Sequence, residues 1–150
     1  FYMSLKMEAA NLSDLKKRVK LHEGFSAKPY RDTLNKMTVG YGHLCVEDFW
    51  DENTEYTEAQ LDRIFDTDFD KAIEGAARVC EGMDLPDKKF GVFIEMTFQL
   101  GATGLSKFKK ALAAAREHDW QMCHDQLLDS RWYKQTPNRA KSLAEIMLED

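Results

Sequence analysis

Apolar side chains recur at the spacing of an α-helix along most of the chain, and these stripes predict its main elements. The first stripe predicts a helix that begins after a cap at Asn11 or Ser13 and runs to about Glu23. A second helix opens at the capping box Thr57-Glu58-Ala59-Gln60 and carries a long apolar face. The third begins at Pro86 and is apolar almost all round, so we expect it at the centre of the core.

The pattern changes between the first two helices and again after the third. Residues 29–42 combine a polar turn with β-branched and aromatic residues, which predicts a small β-hairpin. Two glycines break the third helix soon after residue 100, and three shorter helices are expected at 105–116, 119–128 and 137–148. The sequence therefore predicts an α+β fold that is mostly α.

Composition and charge limit the kind of protein this is. A chain of 150 residues suits one domain, and 43% hydrophobic residues exclude a disordered chain. The net charge of −5 argues against nucleic acid as a partner. The charge is uneven, since residues 47–74 hold eleven acids against two bases and residues 101–141 hold eight bases against four acids. We therefore expect a locally positive surface on the C-terminal helices.

Cysteines, histidines and hydropathy exclude several further classes. Three cysteines at 45, 80 and 123 lack any paired spacing, and we expect buried free thiols. His118 and His124 are six residues apart, which does not suit a helical zinc pair, so neither a metal nor another cofactor is expected. The sequence contains no run of 18 apolar residues, so no membrane anchor is expected. Residues 1–10 are expected to be a flexible or vector-derived start, without the apolar stretch of a signal peptide.

One group of residues has the types that acid–base chemistry requires. Glu23 ends the first helix, Asp32 lies at the near end of the hairpin turn, and Thr38 enters the second strand. Cleavage of a glycosidic bond needs one protonated carboxyl and one ionised carboxylate, and a helix end followed by a hairpin can give two such groups different environments. The spacing of Glu23 and Asp32 alone proves nothing, because a chain with 26 acids contains such pairs by chance. Two solvated surface carboxylates are then the simpler interpretation of this pair.

The residues around this group resemble the catalytic segment of the T4-type phage lysozymes, the muramidases of glycoside hydrolase family 24. The segment HEGFSAKPYRDTLNKMTVGYGHL at 22–44 carries the pattern E-x8-D-x5-T followed by G-x-G-H. FQLGATG at 98–104 and SRWYKQTPNRA at 130–140 resemble further blocks of the family in the same order. The resemblance implies one lysozyme-like, two-lobed domain over 1–150, with a small N-terminal β-hairpin lobe at about 24–56, a connecting helix at about 57–80 and a helical C-terminal lobe at about 81–148.

The activity that the resemblance implies is peptidoglycan hydrolysis. A lysozyme of this type cleaves the β-1,4 bond between N-acetylmuramic acid and N-acetylglucosamine and so lyses bacterial cells. Glu23 would correspond to the general acid, Asp32 would stabilise positive charge or orient the nucleophilic water, and Thr38 would help to hold that water. Two alternatives stay open: a lytic transglycosylase, which can use a single glutamate, and an inactive lysozyme-fold module that binds the wall.

Further site residues carry over from the same resemblance. Arg139 matches an arginine that contacts the catalytic glutamate, and His43 matches a histidine that pairs with an aspartate, here Asp68. Tyr30 either packs under the hairpin or reaches the site. Family cleft residues that contact substrate match at Leu44, Phe98, Gln99 and Gln126.

The resemblance also implies partners and a delivery route. Bacterial peptidoglycan is the expected partner of a monomeric enzyme that accumulates in the host cytoplasm until a holin lets it reach the periplasmic wall. Delivery as a tail or secretion-system domain is the alternative. Two residues depart from the family: Ala111 stands where a substrate-contacting serine is expected, and the charge of Glu95 on the core helix has no explanation in the sequence.

Overall fold

The computed structural model describes residues 7–150, and the chain divides into two compact units. The small unit is Lys16–Lys71, and the helical unit comprises the chain up to Leu15 together with Ala72–Asp150. The fold is α+β and mostly α, as predicted. The described residues form, in order, α1 (Ala9–Glu23), β1 (Ser26–Arg31), β2 (Met37–Gly40), β3 (His43–Leu44), α2 (Glu58–Val79), α3 (Asp87–Ser106), α4 (Lys109–Arg116), α5 (Trp120–Leu128), α6 (Arg131–Gln135) and α7 (Pro137–Ile146).

A three-stranded antiparallel sheet in the order β1-β2-β3 organises the small unit. β1 and β2 form the predicted hairpin, in which Tyr30 lies opposite Thr38. β3 was not predicted, because two residues are too few to show a strand pattern. The apolar side of this unit consists of buried side chains from the sheet and from the first turns of α2, namely Val39, Leu61, Phe65 and Phe69.

α2 begins where its capping box predicts. The backbone N–H of Gln60 donates to Thr57 Oγ1 at 3.1 Å, and the backbone N–H of Thr57 donates to Gln60 Oε1 at 2.9 Å. These reciprocal bonds satisfy two of the amides that a helix leaves unpaired at its start. The observed bounds, Glu58–Val79, agree with the predicted helix at about 57–80.

α3 is the core of the helical unit, which confirms its predicted place. Val92, Phe93, Ile94 and Met96 are fully buried, and the helix packs against α7. The predicted end near residue 100 is a kink instead. Gly101 has a φ of 78° and a ψ of 165°, and the chain resumes a helical path to the end of α3 because glycine tolerates that conformation.

The C-terminal helices differ from the prediction in three places. The helix expected at 105–116 begins at Lys109, after a turn. The short helix α6 was missed, since five residues around the buried Trp132 are too few to show a helical stripe. α7 begins at Pro137 as predicted but ends at Ile146.

The N-terminal helix starts earlier than its sequence signals indicate. α1 begins at Ala9, because the carboxylate of Asp87 accepts hydrogen bonds from the Glu8 N–H and from Asn11 Nδ2, both at 2.9 Å. This cap comes from a residue far along the chain, so local sequence did not reveal it. Residues 9 and 10 are therefore helical rather than a flexible start, and residues 1–6 of that prediction lie outside the described part of the chain.

Two of the three cysteines follow the prediction. Cys80 and Cys123 are buried free thiols, and burial raises the pKa of each to about 12. Cys45 is half-buried, which corrects the expectation that all three are inside. None of the helices in the described part of the chain has the length and apolar character that crossing a bilayer requires.

Candidate active site

Glu23 is the last residue of α1 and meets the turn that joins β2 to β3. Gly24 follows it with a φ of 75°, a left-handed conformation that ends the helix. A Cβ atom built on Gly42, which has a φ of 81°, would lie 2.6 Å from Glu23 Oε1. Position 42 therefore requires glycine for two reasons, its conformation and the close approach of the carboxyl group. Glu23 itself is half-buried.

Asp32 closes the turn between β1 and β2. Its Oδ1 accepts hydrogen bonds from the backbone N–H groups of Leu34 at 2.9 Å and Lys36 at 2.8 Å. Asn35, inside that turn, has a φ of 62°. Bonds of this kind fix the carboxylate and stabilise its charge. Within residues 7–150, no hydrogen bond is made to the second oxygen, Oδ2, so it can accept one from a water or a ligand.

Thr38 lies on β2 between two other predicted site residues. Its cross-strand partners are Tyr30 on β1 and Leu44 on β3, and residues paired in this way share one face of a sheet. Tyr30 and Leu44 are partly exposed, whereas Thr38 is buried and donates its hydroxyl hydrogen to the carbonyl of Lys36 at 3.1 Å. The lone pairs of that hydroxyl stay available to accept a further hydrogen bond.

His43 lies between two carboxylates. Its Nδ1 is 2.7 Å from Asp68 Oδ2, the contact that the family resemblance implied, and its Nε2 is 3.0 Å from Glu47 Oε1. The hydrogen bond to Asp68 raises the pKa of His43 above its usual value, and that to Glu47 adds to the effect. The same contact with His43, together with the indole N–H of Trp50, lowers the pKa of Glu47 to about 2. His43 therefore keeps its proton to a higher pH than an isolated histidine does.

The remaining predicted site residues lie in the helical unit. The structure of this unit also explains the charge of Glu95. Its side chain is completely buried on α3, and its Oε2 accepts a hydrogen bond at 2.9 Å from Nε of Arg139, whose side chain is 10% exposed. A buried carboxylate is tolerated when a cation neutralises it. Glu95 therefore serves as the counter-ion of Arg139, and the sequence could not show this because 44 residues separate the two.

Gln99 accepts a hydrogen bond from an aromatic residue of α6. The indole N–H of Trp132 donates to Gln99 Oε1 at 2.9 Å, and Gln99 Nε2 lies 3.4 Å from Thr136 Oγ1. Both bonds fix the orientation of the Gln99 amide, and the neighbouring Phe98 is half-buried. Trp132, which lies within the segment SRWYKQTPNRA, thus positions Gln99, and a tryptophan in a short polar segment was a usable sequence signal for this role.

A cavity of about 700 Å³ lies within the helical unit and includes Gln126 and Ala111. Phe108 and Trp132, whose ring centroids are 5.8 Å apart, form part of its wall. Four basic side chains and one acidic one also line it: Lys107, Lys109, Lys110, Arg131 and Asp129. The predicted positive surface on the C-terminal helices is therefore concentrated at this cavity, which is called the basic pocket below.

The described residues offer no cluster of three or more histidine, cysteine, aspartate or glutamate side chains that could hold a metal ion. The small unit places two carboxyl groups in different settings. Glu23 lies against a glycine turn, and Asp32 is fixed by backbone amides. Gly42 and Glu47 were not singled out from the sequence. The signal for Gly42 was its place in the G-x-G-H motif, and the signal for Glu47 was its position four residues after His43.

Comparisons with known proteins find similar sequences in phages and in Dictyostelium discoideum. Over 162 aligned positions, the chain is 26% identical to "Probable T4-type lysozyme 2" of Dictyostelium discoideum, covering 90% of this chain and 94% of that protein. It is 28% identical to "Pre-baseplate central spike protein Gp5" of Enterobacteria phage T4, over 84% of this chain but 26% of Gp5. "Peptidoglycan hydrolase gp36" of Pseudomonas phage phiKMV is 23% identical, over 88% of this chain and 15% of gp36. A family model described as phage lysozyme matches residues 20–145, so the chain belongs to the phage lysozyme family.

Proposed function

We propose that this protein is an N-acetylmuramidase, which hydrolyses the β-1,4 bond between N-acetylmuramic acid and N-acetylglucosamine in bacterial peptidoglycan. Membership of the phage lysozyme family supports hydrolysis of peptidoglycan in general. The observation that carries the finer assignment is the contrast between two carboxyl groups. Glu23 packs against the Gly42 turn, whereas Asp32 is held by two backbone amides. Most enzymes that hydrolyse a glycosidic bond use such a pair.

Each group has a role that suits its setting. Glu23 acts as the general acid and protonates the glycosidic oxygen as the bond to the sugar breaks. Asp32 is held by two backbone N–H groups at Oδ1, and its Oδ2 orients the attacking water or stabilises the positive charge that develops on the sugar ring. The Thr38 hydroxyl, which already donates to a carbonyl, accepts a hydrogen bond from that water.

Supporting roles belong to residues of both units. The resemblance gives Arg139 a supporting role, and within the helical unit Glu95 fixes its side chain. The pair of His43 and Asp68 stabilises the small unit. Tyr30 flanks Thr38 on the sheet. The residues that contact the substrate are Leu44, Phe98, Gln99 and Gln126.

A turbidity assay on chloroform-treated Gram-negative cells tests the assignment of Glu23. We expect the wild type to clear the suspension and Glu23→Gln, which keeps the shape but cannot deliver a proton, to lose at least about a hundredfold in rate. Glu117→Gln, at an exposed glutamate of the helical unit, is the matched control and should clear normally. Equal clearing by Glu23→Gln and the control would refute the role of Glu23.

Mass spectrometry of the released fragments separates three alternatives in the same experiment. Hydrolysis adds one water to each broken bond, whereas a lytic transglycosylase leaves 1,6-anhydro ends that lack this mass. A module that binds the wall without cutting it releases no fragments while sedimenting with the wall. We expect fragments with the added water, and anhydro ends would contradict the proposal.

We propose two alternative delivery routes. One is accumulation of a monomer in the host cytoplasm with release through a holin. The other is delivery as a tail domain, and similarity to a protein named as a pre-baseplate central spike protein supports that route. Fractionation of phage particles distinguishes them, because a tail domain remains with the particle and a released enzyme does not.

A further inference from the structure

A second cavity, of about 310 Å³, lies within the small unit. It is formed by the loop that precedes α2 and by the first two turns of α2. Its lining residues have no role in the proposed hydrolysis, and they are Phe49, Trp50, Tyr56, Gln60, Arg63 and Ile64. This cavity is called the aromatic pocket below.

Three aromatic rings make the aromatic pocket a continuous apolar surface. The ring centroids of Phe49 and Trp50 are 4.8 Å apart, as are those of Trp50 and Tyr56. Phe49 is nevertheless 60% exposed, so the cluster is open to solvent. Tryptophan, tyrosine and arginine are the side chains that contribute most often to the energetic centre of a protein interface. An open aromatic cluster beside a cavity is therefore typical of a docking surface.

The loop that carries these rings is held by its own hydrogen bonds. The Tyr56 hydroxyl accepts a hydrogen bond from the backbone N–H of Asp51 at 2.8 Å and donates to the carbonyl of Phe49 at 3.3 Å. The indole N–H of Trp50 donates to Glu47 Oε1 at 2.7 Å. A surface that is already ordered loses little conformational entropy when a partner binds.

The same loop carries an excess of negative charge. Residues 47–58 hold six acids and no lysine or arginine. Glu47 lies 3.0 Å from a ring nitrogen of His43. Glu52 lies 3.8 Å from the guanidinium of Arg31. The other four acids make no ion pair within the described part of the chain, and they are Asp48, Asp51, Glu55 and Glu58.

This charge excludes several occupants and favours one. Peptidoglycan and bacterial lipid surfaces are themselves anionic, so unpaired carboxylates repel them, in contrast to the basic pocket. Two copies of the chain that met through this face would bring like charges together. The volume is at the small end of the range for ligand sites and suits one apolar side chain. Charge and shape together favour a protein segment in which basic residues flank that side chain.

We propose that the aromatic pocket is a docking site for a partner protein that inserts one apolar side chain flanked by lysines or arginines. Phe49, Trp50 and Ile64 contact the apolar side chain, and the unpaired carboxylates of residues 47–58 bind the basic ones. Arg63, the single base of the lining, can donate hydrogen bonds to backbone carbonyls of the bound segment.

Three synthetic peptides of equal length test this chemistry. The first is acetyl-Lys-Lys-Phe-Lys-Lys-amide, the second has glutamates in place of the lysines, and the third has glycine in place of the phenylalanine. Each is titrated into the isotope-labelled protein and followed by NMR. We expect the first to shift the amide signals of residues 46–64 and to bind about tenfold more tightly than the others. Equal binding of the glutamate or glycine peptide, or shifts confined to other residues, would overturn the proposal.

Phe49→Ser removes the exposed ring from the aromatic pocket. We expect about a tenfold loss of affinity for the first peptide, with Tm and activity on cell walls unchanged, because the ring is exposed and has no role in hydrolysis. Leu148→Ser, at a 45% exposed leucine of the helical unit, is the matched control and should bind as the wild type does. Undiminished binding by Phe49→Ser contradicts the proposal.

Asp48→Asn/Glu55→Gln tests the charge without altering the rings. We expect roughly a fivefold loss of affinity for the first peptide, and a smaller loss at high salt. Glu81→Gln/Glu117→Gln removes the same charge at two exposed glutamates of the helical unit and should bind normally. An equal loss in the two variants would mean that the peptide responds only to net charge, which overturns the proposal.

Sedimentation of the protein alone tests the competing occupant. We expect a monomer for the wild type and for Phe49→Ser at the concentrations used for NMR. A wild-type dimer that Phe49→Ser converts to a monomer would assign the aromatic pocket to a second copy of the chain and refute a basic partner.

Discussion

The two units hold their charged side chains in different ways. In the small unit, Asp32 and His43 are fixed by short hydrogen bonds to nearby backbone or to partly exposed carboxylates. In the helical unit, Glu95 and Arg139 meet inside the core with almost no access to water. Groups of the first kind can bind water and exchange protons at modest cost, whereas a pair of the second kind fixes geometry and is expensive to break.

This difference agrees with the roles proposed for the two units. Proton transfer and water activation are assigned to the small unit, in which turns and glycines set the geometry. The helical unit supplies a fixed arginine and a cavity for substrate. The two units should therefore respond differently to substitution, the helical one mainly in stability and the small one mainly in activity or pH dependence.

Breaking the buried pair should have the largest effect on stability. Glu95→Gln removes the charge that neutralises Arg139 within the core, and we expect the free energy of unfolding to fall by about 3–5 kcal/mol. Urea denaturation followed by circular dichroism measures this change. Glu145→Gln, at an exposed glutamate of the same unit, should change stability by less than about 0.5 kcal/mol. A similar small change in both variants would mean that the pair contributes nothing to the core.

A substitution in the small unit should instead affect activity most. Gly42→Ala places a Cβ within 2.6 Å of Glu23 Oε1, so the carboxyl group must move. We expect activity on cell walls to fall about a hundredfold, as displacement of a reacting group by about 1 Å does. The matched control is Gly82→Ala, which has nearly the same φ, 82°, but whose Cβ would contact nothing closer than 3.5 Å. Equal losses in the two variants would assign the effect to backbone strain.

The cap of α2 should show a smaller effect on stability. Thr57→Ala removes the hydroxyl that accepts the Gln60 N–H, and we expect a loss of about 1 kcal/mol, measured by urea denaturation. Thr103→Ala is the comparison at an exposed threonine of α3 that caps nothing, and alanine is the better helix former. A loss of the same size at Thr103 would contradict a capping role for Thr57.

The smallest effect concerns pH. Because the pKa of His43 is raised above 6.5, its cluster contributes stability that is complete below about pH 6.5 and is lost as pH rises through the raised value. We expect the Tm to fall over that range in the wild type and the fall to be smaller in His43→Gln. His118→Gln, whose ring contacts a backbone carbonyl, should keep the full slope. An NMR titration that places the pKa of His43 at or below 6.5 would exclude the cluster as the cause.

Local signals predicted the elements whose determinants lie close together in sequence. The capping box at Thr57, the glycine after Glu23 and the proline that begins α7 each act within four residues, and the elements begin or end there. The early start of α1 was missed because Asp87, 79 residues from Glu8, supplies the cap. β3 and α6 were missed because two and five residues are too few for a hydrophobic pattern to repeat.

The candidate site shows the same limit. The motif in residues 22–44 indicated the three candidate catalytic residues and contained the glycine that approaches Glu23, but the approach itself depends on how the turn folds back. Glu95 could not be interpreted without knowing that α3 and α7 pack together. The positive stretch at 101–141 was visible as composition, yet its concentration around one cavity depends on the packing of α3 to α6.

The helical unit is discontinuous along the chain, and this affects the order in which the protein can be assembled during synthesis. Its first segment ends at Leu15, and the rest begins at Ala72, so the small unit lies between them. The N–H of Glu8 finds its acceptor on Asp87, a partner that a ribosome working at roughly 5–20 residues per second adds about 4–16 s later. The small unit can thus be complete on the nascent chain while the first turns of α1 still wait for the residues that cap them.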